Sequence, residues 1–590
     1  MNSDRSVPER ALGGPVARLV LMAVLALTVL SGCSSIPTTG PVGTASADSD
    51  GSSLVDTFAV APRGPSQTGG ETAGEILQGF ITAGTGAADD YSVAREFLTD
   101  ELAETWSPTD RVLIYGADPD IVPASDGNSY SIQLEVVGAL DARGIRTDKA
   151  SGTTETLSAR VEQVDGQWRI SAIPNGIMIS EVNFSLLFLS HNLYFYSSNY
   201  DFWVPDTRWF VQKSGLAANV VKAMLEGPAP YLQGAVSSAF PAGTALARDA
   251  VPVVSGVATV DLSAEVLQDS NDLNRQQMAL QLQQNLTNLN NVNSVSMTVN
   301  QRAVDLGKES SALVDAVADP EVGGTQIAVY DDELVYFKGA DPQEIEGIPS
   351  VAAYGPRDPA LSLDLATVAF LNEDRTSLFM TGPNQDVREV LEGTSLTAPS
   401  IDPEKWTWTA SGGESGSRIL ALPPGGGPEQ VLSLPVPWLN EAEVSELRIS
   451  RDGARALLVT NQGGRSHVLI AGVVRDADGV PKTLTTPLEL AVTANTGSGI
   501  PETLPVNRAK WVSQDSIAVL QTSAQDQVTP LILGLGLDPE PLASLAGITS
   551  LSVGKGEQEI FVQTPSGMYK RMGNSWYEVG KGLLDPAFPG

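Results

Sequence analysis

One cysteine stands in 590 residues, and its neighbours give it a chemistry. Leu30-Ser31-Gly32-Cys33 places a branched apolar residue and two small residues, which fit a narrow peptidase site, before a thiol. This is the lipobox pattern. In it the Cys33 thiol takes a diacylglyceryl group, and cleavage leaves Cys33 as the first mature residue. Upstream, Leu19 to Leu30 is a twelve-residue apolar run. It is long enough for a signal-peptide core and too short to cross about 30 Å of hydrocarbon as a helix. Arg5, Arg10 and Arg18 supply the positive flank. Residues 1–32 therefore read as a lipoprotein signal peptide. The mature chain is expected on the outer face of the cell membrane, its acyl chains contributing about 0.8 kcal/mol per buried methylene.

The other reactive groups are sparse. A lone cysteine excludes an internal disulfide framework and any Cys-based zinc or iron–sulfur site. Two histidines, His191 and His467, leave little for metal or triad chemistry. Asp476-Ala477-Asp478-Gly479 and Asp48-Ser49-Asp50-Gly51 open like calcium loops, but the first has Pro487 where the closing glutamate belongs and the second lies in a Ser/Gly-rich stretch. Both read as turns. Ser552-Val553-Gly554-Lys555 fits S-x-x-K without a companion motif. Carboxylates are too numerous, 70 against 36 Lys plus Arg, for any pair to stand out as an acid/base dyad. The net charge of −34 repels phosphate backbones, so nucleic acid is not an expected partner. The expectation is a protein that is not an enzyme, with no cofactor and no metal.

The elements that carry these residues fall into segments. Residues 33–70 are rich in Ser, Thr, Gly and Pro and read as a flexible tether with a reach of roughly 35 Å. Residues 71–205 read as an α+β domain similar to the NTF2-like cone. Ile76, Leu77, Phe80 and Ile81 line a helix, and a second helix is expected over Val93 to Leu102. Alternation through Tyr130, Ile132, Leu134 and Val136 marks a half-buried strand, and Asp165-Gly166 a tight hairpin. Residues 184–210 hold ten of the chain's 35 aromatics. They are either a strand pair wedged between two domains or an exposed patch for a partner, with Tyr194, Phe195, Tyr196, Phe202, Trp203, Trp209 and Phe210 as its contacts. Residues 206–305 form a second α+β unit, in which Ala279, Leu282, Leu286 and Leu289 stripe a Gln/Asn-rich helix. After a linker, 306–325, residues 326–590 change character: Gly and Pro punctuate short β-rich runs about 40 residues apart, with a wider gap before Val512. That period indicates a β-propeller of about six blades, five or seven being alternatives and a pair of β-sandwiches the other architecture.

Within the middle unit, VVKAMLEGPAPYL, SAFPAGTAL and GVATVDLSAEV resemble a GerMN domain, a module of extracytoplasmic proteins. With IPNGIMIS, LYFYSSNYDFWVPDTRWFV, the lipobox and the C-terminal repeats, the whole mature chain resembles the actinobacterial LpqB lipoproteins. The resemblance implies an accessory component of the MtrA–MtrB two-component system that contacts the extracytoplasmic part of the sensor histidine kinase and is tied to cell-wall homeostasis and division. It brings no catalytic residues. The rival reading is a binder or processor of wall glycan or peptide that uses the propeller channel. An aromatic and carboxylate cluster facing that channel would favour it.

Overall fold

The structure, a computed structural model, describes residues 62–590 except 67–68, 150–151, 213–214, 269, 340, 414, 491, 493–504, 523–526 and 537–538. Cys33, the signal peptide and most of the expected tether lie outside the described residues. Among those described, no helix is long and apolar enough to cross a membrane.

Helix α1 (Ala73–Ala83) starts at a capping box. The Thr72 side chain accepts from the Glu75 amide, and the Glu75 carboxylate accepts from the Thr72 amide. Its buried face is the one the spacing predicts: Ile76, Leu77, Phe80 and Ile81. Each contributes about 1.5–3 kcal/mol by leaving water. The second expected helix is two, α2 (Ser92–Arg95) and α3 (Asp100–Thr105). Between them the Phe97 carbonyl and the Thr99 amide bond with Ile170 of the adjacent sheet, which interrupts the helix. Thr99 then caps α3. That sheet runs 167–172, 154–164, 129–141, 111–115, 177–180 in spatial order. Asp165 and Gly166 both have positive φ (51° and 78°), as a two-residue turn between right-twisted strands requires. Residues 62–66, expected in the tether, already lie on this module: Pro62 sits against Gly86 and Gly64 against Glu96.

Helix α4 (Glu181–Leu187) leads into a long hairpin, Phe188–Ser197 and Phe202–Val211. The expected domain boundary at 205/206 falls inside its second strand. The next unit contains helix α5 (Leu216–Leu225), the strand Val257–Leu262, helix α6 (Asp272–Leu286) and the strand Ser294–Val299. The two strands pair in parallel, with α6 as the crossover. The expected linker is structural: Val317–Ala318 adds a parallel strand to Phe202–Trp203.

The C-terminal region contains six antiparallel sheets among the described residues, one after another in sequence. Sheet A holds strands between 326 and 344, sheet B 357–392, sheet C 400–434, sheet D 443–490, sheet E 506–546 and sheet F 550–580. The strand Leu584–Ala587 returns to pair with Gln326–Tyr330 of sheet A. The first strands of sheets B to F contact one another in order, and Leu584–Ala587 contacts the first strands of both B and F. This is a propeller-like arrangement, not two facing sheets. The wide gap before Val512 is sheet D, whose eleven-residue strand Arg465–Arg475 pairs with two further short strands, Pro481–Leu484 and Leu488–Leu490. A repeated turn follows three of the first strands. Ser362-x-Asp364, Ser450-x-Asp452 and Ser513-x-Asp515 each bond serine hydroxyl to aspartate. In the first two, the aspartate also accepts the amide two residues on.

Candidate functional site

The aromatic hairpin is mostly internal. Tyr194, Phe195, Tyr196 and Trp203 are buried, and Phe202, Trp209 and Phe210 half-buried. Of the two alternatives, burial favours the wedged strand pair over an exposed patch, because each side of the hairpin is already occupied. Phe188 joins the core of the first module. Leu193 and Phe195 join the core built on α5 and α6. Tyr194, Tyr196 and Trp203 cluster with Ala316 of the expected linker. Val204 packs with Tyr231, Leu232 and the apolar residues of sheets D and E. The Trp209 ring lies 4.9 Å from that of Phe184, tilted by 45°, with the Arg146 guanidinium over both rings. The strand pair wedged between domains is what the molecule contains.

Polar groups fix the wedge. Asp206 and Arg208, both fully buried, form a bidentate pair at 2.9 and 2.7 Å. Arg208 also donates to the carbonyls of Arg143 and Gly227, and Asp206 accepts the Ala229 amide, so one ion pair ties together three segments. The strand Val236–Ser237 covers only Ser197 and Tyr196 of the hairpin, and the amides of α6 take over where it ends. Asn285 Oδ1 accepts from the Tyr194 amide at 2.8 Å. The Tyr194 carbonyl accepts from Asn285 Nδ2 and Gln281 Nε2 at 3.1 and 3.0 Å. The expected stripe on α6 is thus wider than its apolar residues. Gln276, Gln281 and Asn285 are buried with Met278, Leu282 and Leu286, while Ala279 is half-buried. Hydrogen bonds also join the hairpin and Asp319 to the turn at 513–515 of sheet E: Asn192 to Asp515, Tyr194 to Gln514, and Asp319 to Gln514.

The other feature is a cavity of about 350 Å³ lined by Arg357, Glu373, Arg375, Arg508, Thr549, Gln563, Leu584 and Asp585. Arg357 and Arg508 stand at or near the starting ends of first strands, Leu584 begins the returning strand Leu584–Ala587, and Thr549 just precedes the first strand of sheet F. Beside it lies a buried glutamate. Glu446 takes Arg448 at 2.6 Å, Lys510 at 3.0 Å and Arg508 at 3.7 Å. Burial alone would raise its pKa, but the three cations outweigh burial and hold it at about 2. Burial, helped by Arg448, brings Lys510 down to about 8. Burial and the Asp585 charge push Asp358 up, against its ion pair with Arg375 at 2.6 Å. No aromatic residue lines this cavity, which is not the aromatic and carboxylate cluster the rival reading called for.

The remaining candidates are structural where the structure describes them. His191 is half-buried, 5.9 Å from the Phe210 ring, and burial lowers its pKa. His467 pairs with Glu489 at 2.6 Å. Asp476 accepts the amides of Asp478 and Val480 and pairs with Lys482, so this loop is a turn. Ser552 donates to Gln326 while Lys555 pairs with Glu321, so the two do not converge. Among the described residues, no three His, Cys, Asp or Glu side chains are grouped to hold a metal. The cavity arginines went unread in the sequence; their only signal is that Arg357 opens a strand of the repeat and Arg508 lies two residues into another.

Three family models match the chain in order. "Lipoprotein LpqB, N-terminal domain" covers residues 66–185, "Sporulation and spore germination" 192–305, and "Lipoprotein LpqB beta-propeller domain" 332–589. The chain is 25% identical to Lipoprotein LpqB of Streptomyces coelicolor across 99% of this chain and 100% of that protein. It is 29% identical to Lipoprotein LpqB of Cutibacterium acnes across 76% and 74%. Of solved structures, TolB from Acinetobacter baumannii is similar with a TM-score of 0.35 and 14% identity, over 46% of this chain and 68% of that one.

Proposed function

Starting from a chain that resembles the LpqB lipoproteins along nearly its whole length, we propose that it is a lipid-anchored, non-enzymatic protein outside the cell membrane. Its work is to bind and modulate the extracytoplasmic domain of a two-component sensor histidine kinase tied to cell-wall homeostasis and division. The observation that carries this reading is the order of domains behind a lipobox at Cys33: two matched to LpqB models, with one matched to the sporulation and spore germination model between them. In this reading the first module is an NTF2-like cone, and the six C-terminal sheets close into a six-bladed propeller with Leu584–Ala587 as its clasp. A contact face is available on α4, where Val182 and Leu186 are 70% and 62% exposed one helical turn apart.

The test is a titration of the lipid-free chain from residue 33, with Cys33→Ser, against a purified sensor-kinase ectodomain at two salt concentrations. Binding with a Kd below about 100 µM is expected, and it should be salt-sensitive because residues 33–590 carry a net charge of about −35. No binding at about 100 µM in either salt, with the chain shown to be folded, overturns the reading. The anchor is checked separately by mass spectrometry: wild type should carry an acylated Cys33 at its N-terminus, and Cys33→Ala should remain unprocessed.

A further inference from the structure

The cavity is an open well that gathers cations in an acidic chain. Beside it, the Glu446 cluster links sheets D and E through Arg448 and Lys510. At the far ends of the first strands lies a separate, smaller cavity of about 50 Å³ walled by Ile449, Trp511, Val553 and Phe588. Those far ends are also where the hairpin and Asp319 meet the sheets, through Gln514 and Asp515. The well opens at the opposite ends, away from that contact.

Three guanidiniums gather around it in a protein with 36 cations to 70 anions. Their neutralisation is uneven. Arg375 holds Asp358 at 2.6 Å. Arg357 reaches Glu373 at 3.3 Å and Asp332 at 3.9 Å, and both carboxylates are largely in solvent. Arg508 has the weakest partners: the Asn507 carbonyl at 3.4 Å, and Glu446 at 3.7 Å, which already holds two closer cations. Asp585 opposes them, but its carboxylate accepts the Asp358 amide at 3.1 Å. Thr549 and Gln563 add neutral polar groups to the wall.

We propose that this well binds a small phosphate-bearing solute, with the phosphate seated on Arg508 and flanked by Arg357 and Arg375. The volume lies in the range of small-molecule sites, and planar guanidinium forks match phosphate oxygens in pairs. The proposal is independent of the kinase reading, since it concerns a different surface and needs no protein partner.

The probe is inorganic pyrophosphate, titrated calorimetrically into the lipid-free chain at fixed ionic strength with sulfate as a control. Saturable binding with one site per chain is expected, weakened at least tenfold by Arg508→Gln. Arg357→Gln serves as a second variant should the first fail to fold, and it should weaken binding several-fold. Vesicles containing phosphatidylglycerol form a separate arm. Binding to them that Arg508→Gln abolishes, where pyrophosphate does not bind, would move the phosphate source to a lipid headgroup. No binding of either probe, or binding unchanged in both variants, overturns the proposal.

Discussion

The hairpin junction and the arginine well are both built where several sheets converge, and they solve opposite problems. At the junction, aromatic and aliphatic side chains fill the space and each buried charge has its partner, as Asp206 has Arg208. In the well, first strands bring charged residues together and leave about 350 Å³ unfilled. Aromatic density in a sequence therefore marks cohesion here, while the open chemistry belongs to arginines separated by as many as 151 positions, from 357 to 508. An apolar cluster lowers free energy by closing. A charge cluster that stays partly solvated can exchange its partners.

The comparison breaks most visibly if the junction tolerates loss of its charge. Arg208→Ala leaves Asp206 buried without a counter-ion and strips donors from the Arg143 and Gly227 carbonyls. A loss of about 3–5 kcal/mol is expected in urea unfolding. A loss under about 1 kcal/mol would mean the junction is not a weld.

The ion cluster beside the well gives the next effect, with a pH signature. Glu446 is held at about 2 against its ordinary 4.5, so the stability it contributes is present above about pH 4.5 and lost as pH falls toward 2. That difference is worth about 3 kcal/mol. Glu446→Gln should therefore be destabilised near neutral pH and converge on wild type in acid. A gap between the two that stays constant from pH 6 to 3 would contradict the ion cluster.

A smaller effect belongs to α6. Asn285→Ala removes the amide that satisfies both backbone groups of Tyr194, leaving Gln281 on the carbonyl alone. The expected cost is about 1–3 kcal/mol. Hydrogen exchange at Tyr194 should rise in step with it.

These residues also mark where the sequence could be read and where it could not. The α1 face, the alternation in 129–141 and the Asp165-Gly166 turn depend on neighbours a few positions apart, and their patterns are visible in the chain. The burial of Gln281 and Asn285 depends on Tyr194, some 90 positions away, so a polar residue that bonds a distant backbone looks like a solvated one. The linker around Val317 was hidden for the same reason, since its pairing partner is Phe202. The Ser-x-Asp turns follow first strands, whereas the similar polar turn Asn372-Glu373-Asp374 joins the second and third strands of sheet B, at the other end of its sheet. That mixed register blurred the period. The well was unreadable because sheets B, E and F and the strand Leu584–Ala587 each contribute only one to three residues to it.

The smallest stability effect tests where a partner binds, and it separates the exposed apolar face from the filled junction. Val182 and Leu186 lie on one side of α4 and contribute little to the core, unlike Phe184 on the same helix, which is buried. Leu186→Ser should change unfolding free energy by no more than about 0.5 kcal/mol, because the side chain is already in water. If α4 is the contact face, the same substitution removes an apolar anchor from the interface and should weaken binding of the sensor-kinase ectodomain about tenfold, the equivalent of 1.4 kcal/mol. Phe195→Ala, inside the junction, should do the reverse: destabilise the chain by about 3–5 kcal/mol and leave affinity unchanged under conditions where it remains folded. Affinity that follows Phe195 and ignores Leu186 would mean that the junction opens to admit the partner, and the contrast between closed aromatics and open surface would fail.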